Sequence, residues 1–209
     1  PFSAGAWSGP VNIAALGANV TLTVTRSGVT GVSNPFSVTA MPQGASSLWP
    51  LAPTPGNPWN NDLLPLEVGV KFRAAVDGSI SALRFYKGAG NTGTHVGHLW
   101  DSVGNLLATA TFSNETGSGW QQVAVTPMVE IHADTTYIAS YHTGTGYAAD
   151  RPYFLASGVD SPPLRALRDG EDGGNGVYKY DSTCTIPPCM PDLTYRSSNY
   201  WVDVVFLTP

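Results

Sequence analysis

In "LEVGVKFRA", Leu66, Val68, Val70 and Phe72 point one way and Glu67, Lys71 and Arg73 the other. A period of two marks an extended chain with one face buried. The pattern recurs in "SISALRFY" after the turn "VDGS", in "HVGHLW", in "NLLATATF" after the turn "SVGN", and in "WQQVAVTP", "VEIHA", "TTYIASYH" and "NYWVDVVFL". In the last run both Tyr200, Val202, Val204 and Phe206 and the alternate set Trp201, Asp203 and Val205 are apolar enough for a central strand. No long run with helical spacing competes with these. Many short strands divided by turn residues predict an all-β chain, an antiparallel β-sandwich of jelly-roll-like form. The stretch 149–198 is less regular and reads as long loops.

The chain before this module has a different character. Arg26 is the one charged side chain before Asp62. Within "NVTLTVTRSGVTGVSNPFSVTA", Val20, Leu22 and Val24 alternate with Thr21, Thr23 and Thr25. With "GPVNIAAL" this gives about three strands, too few for a complete sandwich. Residues 1–40 resemble the closing strands of a bacterial immunoglobulin-like repeat. The segment 41–59, rich in Pro, Gly, Ser and Asn and without period, reads as a linker or a draped connection. Trp49 and Trp59 are expected to pin it to the body, since tryptophan is costly to leave wet. The main module is then 60–209. A chain that opens at Pro1 without Met is expected to be a segment of a larger protein.

Composition narrows the partners. The net charge is −5, and the lysines are Lys71, Lys87 and Lys179 alone. Nucleic acid is not an expected partner, because phosphate neutralisation needs a basic face. No apolar run approaches the ~18 residues of a membrane span, so no membrane partner is expected. Cys184 and Cys189 enclose "TIPP". That spacing suits a loop-closing disulfide better than a redox pair, which needs Cys-x-x-Cys; free thiols are the alternative. A disulfide would place the protein outside the cell or on its surface.

Several chemistries are tested by these residues. Gly88, Gly90 and Gly93 match G-x-G-x-x-G, but a strand and not a helix follows, so no dinucleotide site is expected. His95 and His98 lie three apart on a strand and project to opposite faces, which argues against a shared metal. No G-x-S-x-G elbow is present, and Glu67, Glu115, Glu130 and Glu171 form no assignable acid–base pair; the chain is not expected to be an enzyme. Asp169, Glu171, Asp172, Asn175 and Asp181 put hard oxygen donors on a glycine-rich segment, the requirement of a structural Ca²⁺; a solvated acidic loop is the other reading. Aromatic residues crowd the second half. Rings beside charged and amide groups suit sugars, whose C–H faces stack while their hydroxyls are hydrogen-bonded. The candidate ligand residues are Tyr147, Asp150, Arg151 and Tyr153, then Tyr178, Lys179 and Tyr180, with Lys87, Asn91 and Trp100 at a rim.

Taken together, "G-V-K-F", "R-F-Y-K", "H-x-G-x-L-W", "G-W-Q-Q-V", "Y-x-A-S-Y-H" and "Y-W-V-D-V-V-F" closely resemble the bacterial family catalogued as domain of unknown function 4082, over about 60–206. The "CTIPPC" insert departs from that pattern. The family's setting, in large secreted proteins beside immunoglobulin-like repeats and polysaccharide-active enzymes, implies a β-sandwich accessory module and supplies no binding residues. The expectation is a non-catalytic carbohydrate-binding module of a secreted bacterial protein, with polysaccharide and tethered catalytic or surface domains as partners. The alternative is a structural spacer or adhesion domain without a glycan site.

Overall fold

A computed structural model describes residues 44–50 and 52–209 in full, the side chains of 21–25 and 28–33, and strand backbone alone at 2–3, 6–7, 17–20, 26 and 36–38. The chain divides into two compact units, Pro1–Gln43 and Gly44–Pro209.

The first unit contains β1 (Phe2–Ser3), β2 (Ala6–Trp7), β3 (Gly17–Val20), β4 (Thr23–Arg26), β5 (Val29–Val32) and β6 (Phe36–Val38). They pair antiparallel as β1–β2, β3–β6 and β4–β5. Leu22 and Val24 are half-buried between exposed Thr21, Thr23 and Thr25, the alternation expected there. Much of 1–40 lies outside the described residues, and the immunoglobulin-like reading with it.

The second unit runs β7 (Ala45–Ser46), β8 (Leu66–Ala74), β9 (Gly78–Lys87), β10 (Val96–Asp101), β11 (Leu106–Thr111), β12 (Gly119–Ile131), β13 (Tyr137–Thr143), β14 (Val159–Ser161), β15 (Leu164–Ala166), β16 (Val177–Tyr180), β17 (Leu193–Thr194) and β18 (Val202–Leu207). The larger sheet is ordered β11-β10-β13-β8-β15-β14, with β16 also on β8 and β17 on β16; the smaller is β12-β9-β18-β7. The pairings are antiparallel, so the expected β-sandwich is the observed fold. Two expected strands merge into β12, whose register breaks between Ala124 and Val129, around Pro127. Proline has no N–H for a ladder, so it is tolerated only at such an irregularity. The stretch 149–198, expected as long loops, holds four short strands, β14 to β17; runs of two to four residues are too brief to show a period.

The core lies between the sheets. Val68, Val70 and Phe72 of β8, Leu99 of β10 and Tyr141 of β13 meet Leu83 and Phe85 of β9 and Val204 and Phe206 of β18. Phe85 stacks on Tyr141 with centroids 4.1 Å apart and meets Phe112 edge-on at 4.8 Å. Each such buried side chain stabilises the fold by roughly 1.5–3 kcal/mol relative to exposure.

Both sheets also carry a covered outer face. On the smaller sheet, Arg84 and Asp203 sit opposite each other on β9 and β18. Leu48 and Trp49, both buried, cover this pair: Leu48 N donates to Asp203 Oδ1 (2.7 Å), and Trp49 packs against Trp120 and Trp201. The segment read as a linker, 41–59, therefore contributes its described residues to the second unit. Trp59 explains the glycine-rich loop. A Cβ on Gly90 would lie 2.4 Å from Trp59 Cε2, and one on Gly88 2.2 Å from Pro58 O. These glycines admit the 58–59 backbone and ring by close approach, whereas Gly93 supplies positive φ.

Candidate functional site

On the outer face of the larger sheet, strand register assembles a polar row. Lys179 of β16 pairs with Glu67 of β8, Glu67 with His142 of β13, and His142 with Val96 of β10. One step along, Ser140 of β13 pairs with His98 of β10. Alternation of side chains puts both sets on one face.

The chain between β16 and β17 folds back over this row. Met190 packs on Trp100, Ile138 and Val177. Lys179 Nζ is held by both carboxylate oxygens of Asp192 (2.7 and 2.9 Å), and His142 Nε2 by Asp181 Oδ2 (3.0 Å). Between these anchors Cys184 and Cys189 form the expected disulfide. A cleft of about 290 Å³ is left under the loop. Its floor is Glu67, Val96, His98, His142 and Lys179, and its wall is Asp181, Pro187, Pro188 and the cystine.

The floor is pre-set by a chain of hydrogen bonds. Trp100 Nε1–H donates to Ser140 Oγ (2.8 Å), Ser140 donates to Glu67 Oε1 (2.5 Å), and His98 Nδ1 meets the same oxygen at 2.9 Å. Glu67 and His98 are each 4% exposed. A second depression, of about 460 Å³, lies where the start of β9, the end of β12 and residues 207–209 meet, but its Asp77 and His132 side chains are 69% and 75% exposed. Solvent screens such groups, whereas partly desolvated groups like Glu67 and His98 act at close quarters.

The sequence profile described as Domain of unknown function (DUF4082) matches residues 52–202. The chain belongs to the DUF4082 family. No curated protein and no solved structure matches it. The DUF4082 match begins inside the segment read as a linker, in keeping with the Asp150 carboxylate that binds Gly56 N and Asn57 N (2.9 and 2.8 Å).

Most of the expected ligand residues of this DUF4082 member hold the sandwich together. Tyr147, Arg151 and Tyr180 converge on 60–62: Arg151 Nη1 donates to Asn60 Oδ1 (3.1 Å), Tyr180 Oη to Asp62 Oδ2 (2.6 Å), and Tyr147 lies 3.5 Å from the same oxygen. Asp62 pushes the Tyr180 phenol well above its ordinary range, and burial raises that of Tyr147. Asp150 also accepts from Trp201 Nε1 (3.0 Å), Tyr153 packs edge-on against Trp201 (5.6 Å), and Tyr178 against Tyr180. Lys87 and Asn91 meet in another network, around His95. Glu115 joins Lys87 (2.7 Å) and His95 Nδ1 (2.8 Å), while His95 Nε2 meets the Asn91 amide (2.7 Å). Burial holds His95 below its usual pKa, Glu115 opposing. Trp100 is buried and supports the cleft floor; Lys179 lines it.

The five residues expected to hold calcium are separately engaged. Asp169 accepts from Asn175 N and Ser197 Oγ, Glu171 from Arg165, Asp172 from Thr136 and Arg73, and Asp181 faces His142. Buried Asn175 bonds the backbone of Lys71, Leu167 and Gly176. Among the described residues no group of three or more His, Cys, Asp or Glu is arranged to hold a metal. Exposed aromatic rings among the described residues are Trp59 and Tyr195, neither of which lines the cleft.

Sequence reasoning missed Glu67, His98 and His142 as a set. The available signal was Glu67 itself, the one carboxylate in a central strand whose other charged residues, Lys71 and Arg73, are cations.

Proposed function

We propose that this domain is a non-catalytic carbohydrate-binding module that takes one sugar unit in the cleft between the outer sheet face and the cystine loop. The observation that carries this reading is the pairing of a buried polar floor, Glu67 and His98, with an apolar wall of Pro187, Pro188 and the Cys184–Cys189 bond. A sugar ring needs both surfaces, directional partners for hydroxyls and a flat apolar face for its C–H groups. The volume stands at the lower end of the ~300–1,000 Å³ typical of small-molecule sites, room for a single ring. Hydrogen bonding then replaces the ring stacking expected from composition. Both cysteines of the wall are joined, and the Ser140 hydroxyl behind the floor is turned to Glu67, so neither offers a free nucleophile. The disulfide supports a secreted or surface location.

The test is retention of the whole chain on immobilised polysaccharides, with and without EDTA, beside His98→Ala and Tyr147→Ala. Retention lost in His98→Ala and kept in folded Tyr147→Ala supports the cleft. The EDTA arm addresses the calcium expectation at 169–181. The burial of most rings favours a second reading, a spacer domain in a surface array, and failure to bind any polysaccharide would select it.

A further inference from the structure

The inference here rests on the sugar reading of the cleft and narrows it to one class of sugar. Trp100 donates to Ser140, so the serine proton goes to Glu67 Oε1, which also takes the His98 Nδ1 proton. Both donors point at Oε1, which leaves Oε2 of the carboxylate as a further acceptor. Among the described residues Glu67 Oε2 has no hydrogen-bond partner and is not fully buried, and the same holds for His98 Nε2, which presents a lone pair when the ring is neutral and donates through Nδ1. Among the described residues Asp181 Oδ1 in the wall and His142 Nδ1 in the floor likewise have no hydrogen-bond partner, each residue being engaged through its other polar atom. The cation in the lining, Lys179, is held by Asp192.

The floor therefore offers acceptors and negative charge, and its ammonium is already neutralised. A ligand that satisfies it brings donors and a positive charge. We propose that the unit bound in this cleft is an amino sugar, whose protonated amine docks on Glu67 Oε2 and His98 Nε2. An ammonium has three donors and no acceptor, and its bond to a carboxylate is of the charge-assisted, stronger kind. The pyranose C–H face lies against Pro187, Pro188 and the cystine. An N-acetyl group would remove the charge and bring a carbonyl to a floor of acceptors. A uronate would set its carboxylate against Glu67 and Asp181.

The experiment is calorimetric titration of the whole chain, at neutral pH, with oligosaccharides of glucosamine, N-acetylglucosamine, glucose and galacturonate. The glucosamine series is expected to bind at least about tenfold tighter than the acetylated and neutral series, a ~1.4 kcal/mol difference, with galacturonate weakest. Glu67→Gln brings glucosamine and glucose oligosaccharides to similar affinity. Because that substitution alters a buried group, the unaltered protein is also followed by NMR, where free glucosamine is expected to shift the His98 ring resonances. Equal affinity for aminated and acetylated sugars, both shifting His98, overturns the amino-sugar assignment and leaves the sugar reading standing. Binding of no sugar overturns both. Oligolysine that shifts His98 at lower concentration than any amino sugar overturns the assignment in favour of a protein ammonium.

Discussion

Asp203 and Arg84 face each other across β18 and β9 at 2.8 Å, with the carboxylate fully buried and closed over by Leu48. Desolvation is the larger influence on this carboxyl and lifts it to about 6, against the pull of Arg84 and of the Leu48 and Val204 N–H donors.

The pH dependence follows from that direction. A carboxyl raised from 3.8 in the folded state binds its proton more readily folded than unfolded. Its contribution to stability is full below about 4 and is lost as pH rises through about 6. A shift of this size corresponds to roughly 2–3 kcal/mol. His95 acts in the opposite sense: its lowered pKa gives stability above 6.5 that is lost as pH falls. The wild-type profile is thus a compensated sum. The difference between wild type and Asp203→Asn isolates the carboxyl. In urea titrations from pH 4 to 7, wild type should lose about 2–3 kcal/mol relative to the variant. An invariant difference would contradict the burial argument.

Removal of the cap over this pair should be costly. Leu48→Ala empties a fully buried site and is expected to lower stability by about 2–5 kcal/mol. A fragment that starts where the family match does, 52–209, loses Leu48 and Trp49 together and should melt well below a 44–209 fragment. Calorimetry on the two fragments checks this; equal melting temperatures would mean that the cap is inert.

Gly90→Ala tests the Trp59 packing. The new methyl must displace the indole, at a cost of about 1–3 kcal/mol. Trp59 emission should shift to the red as the ring moves into water. The same change at Gly93, where φ is +94° and no atom lies within 4 Å, should cost stability without moving the fluorescence.

Reduction of Cys184–Cys189 should separate cleft from frame. Closing so short a loop contributes about 2 kcal/mol in the chain-entropy account. The sandwich is expected to stay folded on reduction, since no sheet pairing depends on the bond, while glycan retention falls. Circular dichroism and retention measured on the same sample decide it.

Tyr147→Ala is expected to lower stability by about 3–5 kcal/mol through lost core packing, and to leave glycan affinity of the folded fraction unchanged. Reduced affinity with undiminished stability would return the ring to a recognition role.

The strands of the sandwich were legible because alternation is local: Leu66 to Phe72 can be read without knowing their neighbours. Opposite projection of His95 and His98 was legible for the same reason. His95 is in the interior with Glu115, and His98 is on the outer face with Glu67. The cleft was not legible. Lys179, Glu67, His142 and Val96 become a row only when four strands distant in sequence come into register, and register is a property of pairing. The rings misled for a related reason. Tyr147 and Tyr180 sit beside polar residues in sequence, but their partner is Asp62, more than eighty positions away.

The cystine ring touches the frame chiefly at its ends, through Asp181 and His142 on one side and Asp192 and Lys179 on the other. Ile186 and its neighbours within the ring are open to water. Their identity is thus decoupled from the folding of the sheets below. Successive rewriting of those few positions could retune what the module grips while its chassis is inherited intact.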